Sequence, residues 1–290
     1  MGREQVRRFG VVGASVGHSL SPAMHTAAFG HMGMAAVYLP MDVPEGALAR
    51  AWHGAWRLGF AGLNVTAPHK EGAFAMGTVA TEAARQARSA NVVAFAPDGS
   101  TRIDSTDGEA VTGALDARDP GWAARCTSLS PALVLGAGGA ARAGAVALCG
   151  RGAAVAVAAR RPEAAADLCA LLRSLGGRAQ PVAWETRRAV AAGAPVVLQG
   201  TPLGGGRRQK GDPLAPGALP GPRGILVELA YGAAPTPLEA RARAAGLAVV
   251  DGREVLARQG SASWRLWFGV PGPLAVMWAA TGAVSGERLS

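Results

Sequence analysis

The chain of 290 residues has the length of about two domains of ordinary size. Hydrophobic residues make up 49% of it and charged residues 17%, which excludes an intrinsically disordered protein. The formal net charge is +9, but the arginines are scattered, and neither a zinc-finger spacing nor an RNA-binding aromatic motif accompanies them. We therefore predict acidic small molecules, and no nucleic acid, as partners.

The three cysteines form an odd set without CxxC spacing, which favours a reduced, cytosolic chain. The basic segment Met1–Phe9 is not followed by the apolar core of a signal peptide. The apolar runs are far shorter than the ~18 residues that a membrane span needs. We expect a cytoplasmic protein with no membrane partner and no metal site, as a monomer or a homodimer.

Short apolar runs alternate with helical patterns in the first half of the chain, which is typical of βαβ units. The predicted strands are Phe9–Val12, Ala36–Pro40, Gly62–Val65 and Asn91–Phe95, and the predicted helices are Ala23–Met32, Gly46–Arg57 and Lys70–Met76. The polar, turn-rich segment Asp116–Ser130 is predicted to be a domain junction.

A second series of elements begins after this segment. The predicted strands are Ala132–Leu135, Ala153–Ala158, Pro195–Gln199, Ile225–Leu229 and Ala248–Val250, with helices at Gly139–Cys149, Pro162–Leu175, Arg253–Phe268 and Leu274–Thr281. Gly204–Gly224 is rich in Gly, Pro and basic residues and is predicted to be a long, mobile loop.

A glycine-rich turn follows the first strand of this second series. Its residues are Gly136, Ala137, Gly138, Gly139, Ala140 and Ala141. A strand, a turn of this kind and a helix together form a dinucleotide-binding unit, in which the free N–H groups at the helix start receive phosphates. The motif alone is weak in a chain this rich in Gly and Ala, but the flanking strand and helix strengthen it.

Arg160 and Arg161 stand at the end of the next predicted strand, where an NAD-dependent enzyme usually carries an acidic residue. An arginine at this position suits the 2′-phosphate of NADP. The pattern therefore favours NADP as cofactor, against the alternative of two solvated surface arginines.

A constellation of polar residues lies in the first half of the chain. Its members are Ser19 and Ser21, Asn64 and Thr66, Lys70, Asn91, and Thr106–Asp107 in a predicted polar turn. Ser21 before Pro22 also has a structural explanation as a helix N-cap, and each of the others taken singly suits a turn or cap. Together they supply hydroxyls, amides, one lysine and one acid, which suits a small polyhydroxylated carboxylate.

Several segments resemble, in order, the motifs of the shikimate dehydrogenase family. They are Gly17–Pro22, Gly62–Lys70, Ser105–Gly108, Gly136–Ala143, then Tyr231 with Thr236–Leu238, Asp251–Gly252 and Gln259. The resemblance runs from Phe9 to about Gly269 and is highly specific as a set.

The resemblance implies a role for each matching residue. Lys70 and Asp107 would be the catalytic acid–base pair. The substrate would be held by Ser19, Ser21, Asn64, Thr66, Asn91, Thr106, Tyr231 and Gln259. The cofactor NADP would be held by the glycine-rich turn together with Arg160, Arg161, Thr201 and Gly252.

The chain also departs from the family's pattern at several positions. Ser105 and Val92 replace the usual Asn and Thr, Gln199–Gly200 replaces Asn-Ala, Ala159 replaces Asn, and Glu228 replaces Asp. Most of these positions lie in the cofactor half, so the shikimate chemistry is more firmly implied than the preference for NADP.

We therefore predict a two-domain α/β protein. Residues 1–112, with 259–290 packing back onto them, would form the substrate domain, and residues 113–258 a Rossmann-type domain, with the active site between the two. The predicted reaction is the reversible NADP-dependent reduction of 3-dehydroshikimate to shikimate, a step of aromatic amino acid biosynthesis. The alternatives are a quinate or aminoshikimate dehydrogenase, a methylene-tetrahydrofolate dehydrogenase, and a non-catalytic NADP-binding sensor.

Overall fold

The computed structural model describes residues 6–204, 211–215, 217–232 and 234–282. The chain forms two compact units. The first unit runs to Thr106 and resumes at Leu256, and the second unit is Asp107–Val255. These boundaries lie a few residues before the predicted ones.

The first unit contains a six-stranded mixed sheet. Its strands are β1 (Arg7–Gly13), β2 (Ala36–Asp42), β3 (Phe60–Val65), β4 (Val79–Ala80), β5 (Val92–Phe95) and β6 (Thr101–Asp104), in the order β2-β1-β3-β5-β6-β4. β1 pairs in parallel with β2 and β3, whereas β5 is antiparallel to both of its neighbours. The carboxyl ends of β1, β2 and β3 therefore meet at one edge of the sheet.

The helices of the first unit cover this sheet. They are α1 (Ser21–His31), α2 (Leu48–Arg57), α3 (Lys70–Met76), α4 (Glu82–Ala87), the greater part of α11 (Gly252–Phe268), and α12 (Leu274–Ala280), which packs on α1. One core lies under α2 and is built on Trp52, Phe60 and Leu63. On the other face, the rings of Phe9 and Trp267 lie 4.8 Å apart, which ties α11 to β1.

The second unit is a six-stranded parallel sheet flanked by helices. Its elements are α5 (Asp107–Arg118), α6 (Trp122–Arg125), β7 (Ala132–Leu135), α7 (Gly139–Gly150), β8 (Val155–Ala158), α8 (Pro162–Ser174), β9 (Ala179–Val182), α9 (Arg187–Gly193), β10 (Val196–Gln199), β11 (Ile225–Glu228), α10 (Pro237–Ala244) and β12 (Ala248–Val250). The strand order is β12-β11-β10-β7-β8-β9.

This strand order is that of a doubly wound dinucleotide-binding fold, with its reversal between β7 and β10. The strands are buried on both faces, since Leu133 and Leu135 of β7 belong to one core and Val134 to the other. Burial on both sides explains why these strands appear in the sequence as continuous apolar runs. The ligand of such a fold binds outside the carboxyl ends of the strands at the reversal.

The predicted α/β fold class is confirmed, including a C-terminal helix on the first unit. The described residues include no helix that is both long and apolar enough to cross a bilayer. Sequence patterns missed several short elements, namely β4, β6, β9, α4, α6, α9 and α10. Residues 205–210 and 216 of the predicted mobile loop lie outside the described residues, and the described residues between Gly204 and Gly224 form no helix or strand.

Two expectations about the middle of the chain are wrong. Asp116–Ser130 is not a junction, because α5 extends to Arg118 and Trp122 is fully buried, donating from Nε1 to Asp116 at 2.9 Å. Asp107 does not lie in a polar turn, since it is the first residue of α5. The buried positions of α5 include Gly108, Ala110 and Ala114, and only Val111 and Leu115 are large and apolar, so the helical pattern is weak in the sequence.

Candidate active site

The two serines lie between β1 and α1. Ser21 is the first residue of α1, and its N–H donates to the Ser19 hydroxyl oxygen at 3.2 Å. The alternative explanation of Ser21 as the N-cap does not hold, because the N-cap is Leu20 and the Ser21 side chain makes no capping bond. Ser21 is buried, and the structure gives its hydroxyl no partner among the described residues. That hydroxyl can therefore donate to a ligand.

Asn64 is a buried residue of β3, and Thr66 follows two positions later. The Asn64 amide nitrogen donates to the Asn91 carbonyl at 3.1 Å and to the Ser263 hydroxyl at 3.0 Å. Its Oδ1 accepts from the Tyr38 hydroxyl at 2.8 Å. Asn64 is thus held by three bonds from three different segments of the first unit.

Asn91 is the centre of a second buried set of bonds. Its Nδ2 donates to the Thr106 hydroxyl at 3.0 Å and to Gln259 Oε1 at 2.9 Å. Its Oδ1 accepts from the Thr106 N–H at 2.8 Å, and the Thr106 hydroxyl donates to the Gln259 carbonyl at 3.0 Å. The structure therefore brings together three of the predicted substrate residues, which come from segments far apart in the sequence.

The predicted catalytic residues stand at the starts of two helices. Lys70 is the first residue of α3, and its carbonyl accepts from the N–H of Ala90, next to Asn91. Asp107 is the first residue of α5 and directly follows Thr106, and the Thr106 N–H donates to Asn91 Oδ1. The backbone of each residue therefore lies beside the Asn91 set.

The glycine-rich turn has the geometry that phosphate binding needs. Gly136 has a φ of +103°, and a Cβ there would lie 3.0 Å from the Gly200 carbonyl oxygen. Gly138 is the N-cap of α7 and has no side-chain cap, and a Cβ on it would meet nothing within 4 Å. The first N–H groups of α7 thus have no capping side chain, and the space beside Gly138 is open. This arrangement fits the pyrophosphate of a dinucleotide.

Close packing also explains the small residue at the third motif position. Ala141 is fully buried, and a Cβ on Gly200 would lie only 2.7 Å from its Cβ. Arg160 and Arg161 are exposed after β8, at the start of α8, where they can meet a phosphate. Thr201 is half-buried after β10, with its N–H donating to Gln199 Oε1 at 3.0 Å.

Tyr231 and Gly252 lie on neighbouring segments of the second unit. Tyr231 is half-buried between β11 and α10. Gly252 begins α11, and a Cβ on it would lie 2.2 Å from the Ala230 carbonyl oxygen. Glycine is therefore required at position 252 for packing against the segment that carries Tyr231.

The sequence matches the family model described as the shikimate dehydrogenase substrate binding domain over residues 11–93. The shikimate dehydrogenase (NADP(+)) of Anaeromyxobacter dehalogenans is 39% identical over 291 residues, covering 97% of each chain. The chain belongs to the shikimate dehydrogenase family.

Solved structures agree with this assignment. The shikimate 5-dehydrogenase of Thermus thermophilus, in complex with NADP(H) and shikimate, is 33% identical, with a TM-score of 0.78 over 96% of this chain and 99% of that chain. The quinate dehydrogenase of Corynebacterium glutamicum, in complex with NAD, is 27% identical, with a TM-score of 0.80 over 96% of this chain and 99% of that chain.

Sequence reasoning missed two residues that contact Asn64, namely Tyr38 and Ser263. One signal was available for Tyr38, because the chain has only two tyrosines and the other is Tyr231. No comparable signal marks Ser263, which lies 199 positions from Asn64.

Sequence reasoning also gave no role to Glu228, the last residue of β11. It is fully buried and accepts from the Ala230 N–H at 2.9 Å and from the Thr236 hydroxyl at 2.8 Å. Burial raises the pKa of Glu228 to about 8 despite these bonds.

Proposed function

We propose that this chain catalyses the reversible NADP-dependent reduction of 3-dehydroshikimate to shikimate, a step of aromatic amino acid biosynthesis. The observation that carries the proposal is the buried set around Asn91, which gathers Thr106 and Gln259 and lies beside the backbone of Lys70. The name of the relative from Anaeromyxobacter dehalogenans supports the same activity.

In this proposal the first unit binds the polar groups of the substrate. The hydroxyls of Ser19 and Ser21 donate to its carboxylate. Its hydroxyls and carboxylate are also bound by Asn64, Thr66, Asn91, Tyr231 and Gln259, with Thr106 beside them. Neutral hydroxyl and amide groups suit this ligand, because they bind a carboxylate and several hydroxyls without burying a second charge.

Lys70 and Asp107 carry the proton transfer. NADPH, when bound, supplies the hydride that reaches C3 of the substrate. The oxygen on C3 then needs a proton, which Lys70 Nζ donates and, in the reverse direction, accepts. Asp107 orients the lysine and the substrate hydroxyl through its carboxylate.

The residues of the second unit fit NADP. The uncapped start of α7 and the turn from Gly136 to Ala141 would receive the pyrophosphate. Arg160 and Arg161 would bind the 2′-phosphate. Thr201 and Gly252 would lie on the nicotinamide side.

The proposed partners are small molecules only, and the proposed site of action is the cytoplasm, with the protein as a monomer or a homodimer. Oxidation of quinate with NAD is the second candidate function. It is favoured by the fold shared with the quinate dehydrogenase of Corynebacterium glutamicum and by the unusual residues Gln199 and Ala159 in the cofactor half.

Purified protein incubated with shikimate and NADP⁺ tests the proposal. We expect NADPH to accumulate together with a stoichiometric amount of 3-dehydroshikimate. Added NADPH and 3-dehydroshikimate should drive the reaction back. Binding of NADP⁺ without turnover would favour the non-catalytic sensor and overturn the proposal.

A further inference from the structure

Tyr38 and Ser263 contact Asn64 from opposite ends of the sequence. Tyr38 lies on β2 and is 4% exposed, and Ser263 lies on α11 and is fully buried. The motifs of the family assign neither residue a role here. Both belong to the first unit, as does Asn64.

The hydrogen-bond partners determine which way the Asn64 amide points. A backbone carbonyl can only accept, so the group 3.1 Å from the Asn91 carbonyl must be the NH₂ of Asn64. The second amide hydrogen points to the Ser263 oxygen at 3.0 Å, while the Ser263 hydroxyl donates to the Gln259 carbonyl at 2.8 Å. Both amide hydrogens of Asn64 are therefore used within the protein.

The oxygen of Asn64 remains available. It accepts one bond from the Tyr38 hydroxyl at 2.8 Å, and an amide oxygen has two lone pairs. No described residue donates to the second lone pair with good hydrogen-bond geometry, although the His25 side chain lies near enough to Asn64 to act on the His25 pKa. A ligand group at this point must donate a hydrogen bond, as a hydroxyl does.

The Tyr38 ring is itself held in place. It stacks on the His25 ring with centroids 4.4 Å apart and an angle of 9°. His25 Nδ1 accepts from Trp264 Nε1 at 3.1 Å. Burial lowers the pKa of His25 to about 3, so the ring beside Tyr38 stays neutral across the working pH range.

We propose that Tyr38 and Ser263 are positioning residues of the substrate site that act through Asn64. They fix the orientation of the Asn64 amide, so that its two hydrogens bond within the protein and its Oδ1 accepts from the substrate. This proposal rests on the proposed oxidation of shikimate. Neither residue is a catalytic residue, because each acts by fixing a side chain that binds the ring hydroxyl.

The variants Ser263→Ala and Ser261→Ala form a matched pair. Both serines are buried on α11, and each donates its hydroxyl to a backbone carbonyl, but the Ser261 partner is Gly272, away from Asn64. We expect Ser263→Ala to raise the KM for shikimate about 3- to 10-fold, as the loss of one hydrogen bond predicts. Ser261→Ala should leave that KM within about twofold, and neither should change the KM for NADP⁺.

Tyr38→Phe should give a similar rise in the KM for shikimate. The decisive step is to repeat Tyr38→Phe and Ser263→Ala in an Asn64→Ala background, where a residue that acts through Asn64 has nothing left to position. We expect the effects on KM to disappear there. Effects that persist at full size would show a merely structural role and overturn the proposal.

The control pair keeps the test informative if the Asn64→Ala background does not fold. If the wild-type protein oxidises shikimate but Ser263→Ala and Ser261→Ala have equal KM values for it, the positioning role alone is overturned. A wild-type protein without activity toward shikimate would instead overturn the proposed function.

Discussion

Lys70 is the residue on which the proposed proton transfer depends most directly. An arginine keeps the positive charge and the hydrogen-bond donors of a lysine but does not release a proton at neutral pH. Lys70→Arg should therefore lower kcat by ~10²–10⁴, the usual range for a lost general acid or base. Steady-state kinetics with saturating shikimate and NADP⁺ measures this loss, with the Tm and NADP⁺ binding as controls. A variant that keeps more than about a tenth of wild-type kcat would make Lys70 an electrostatic anchor.

Arg160 carries the proposed preference for NADP over NAD. A charge-assisted hydrogen bond to the 2′-phosphate is worth ~1.5–3 kcal/mol, or roughly 10- to 150-fold in affinity. Arg160→Ala should raise the KM for NADP⁺ by this factor and leave the KM for NAD⁺ nearly unchanged. Arg173→Ala, at the far end of α8, is the matched control. An equal rise for both cofactors in Arg160→Ala would place the 2′-phosphate elsewhere.

The residues of the candidate site differ in how readily the sequence reveals them. Ser19, Asn64 and Lys70 stand in short motifs, so their chemistry is visible from neighbours a few positions away. Tyr38 and Ser263 are recognisable only through contacts with Asn64, at separations of 26 and 199 positions. Nothing local to either residue indicates a partner that distant.

At the scale of secondary-structure elements, the packing of α5 on α7 fixes the position of Asp107. A Cβ on Gly108 would lie 2.6 Å from the Ala143 carbonyl oxygen of α7, so the two helices approach closely there. Gly108→Ala should destabilise the protein by ~1–3 kcal/mol, as overpacking does, and lower kcat because Asp107 shifts with the helix. Urea unfolding and steady-state kinetics measure the two effects.

Gly54→Ala is the matched control for this prediction. Gly54 lies inside α2, and a Cβ on it would meet nothing within 4 Å. Alanine should therefore stabilise that helix by ~0.5–1 kcal/mol. If Gly108→Ala also proves stabilising, the close approach of α5 and α7 is not present in solution.

The same helix shows why some elements escape sequence reasoning. The strands of the parallel sheet are buried on both faces, and their runs of Val, Leu and Ala are easily recognised. α5 approaches α7 closely at Gly108, where a larger side chain would not fit, and its large buried apolar residues are only Val111 and Leu115. A helix of this kind looks polar and turn-rich in the sequence, which is why the sequence pattern predicts a junction at its C-terminal end.

At the scale of the whole molecule, Glu228 links stability to pH. Its pKa is about 8 in the folded chain, against 4.5 for an ordinary glutamate. The folded state therefore binds more protons than the unfolded state between these values, and stability falls as the pH rises from 4.5 through 8. The glutamine of Glu228→Gln does not titrate. The free energy of unfolding of this variant should therefore rise by about 3 kcal/mol relative to that of the wild type between pH 5.5 and pH 8.

Urea unfolding at the two pH values measures this gain. Glu163→Gln, at an exposed position at the start of α8, is the control and should follow the wild type at both pH values. A constant difference between Glu228→Gln and the wild type would show that the Glu228 carboxyl is already ionised at pH 5.5 in the folded chain.

One pairing of substrate and cofactor is central to the proposed function. The direct test is kcat/KM of the unmodified protein for shikimate and for quinate, each with NADP⁺ and with NAD⁺. In the proposed site, Ser19 and Ser21 would form a compact carboxylate site that the extra hydroxyl of quinate should strain, and Arg160 would favour the 2′-phosphate. We predict the highest kcat/KM for shikimate with NADP⁺, and an equal or higher value for quinate with NAD⁺ would contradict the proposed function.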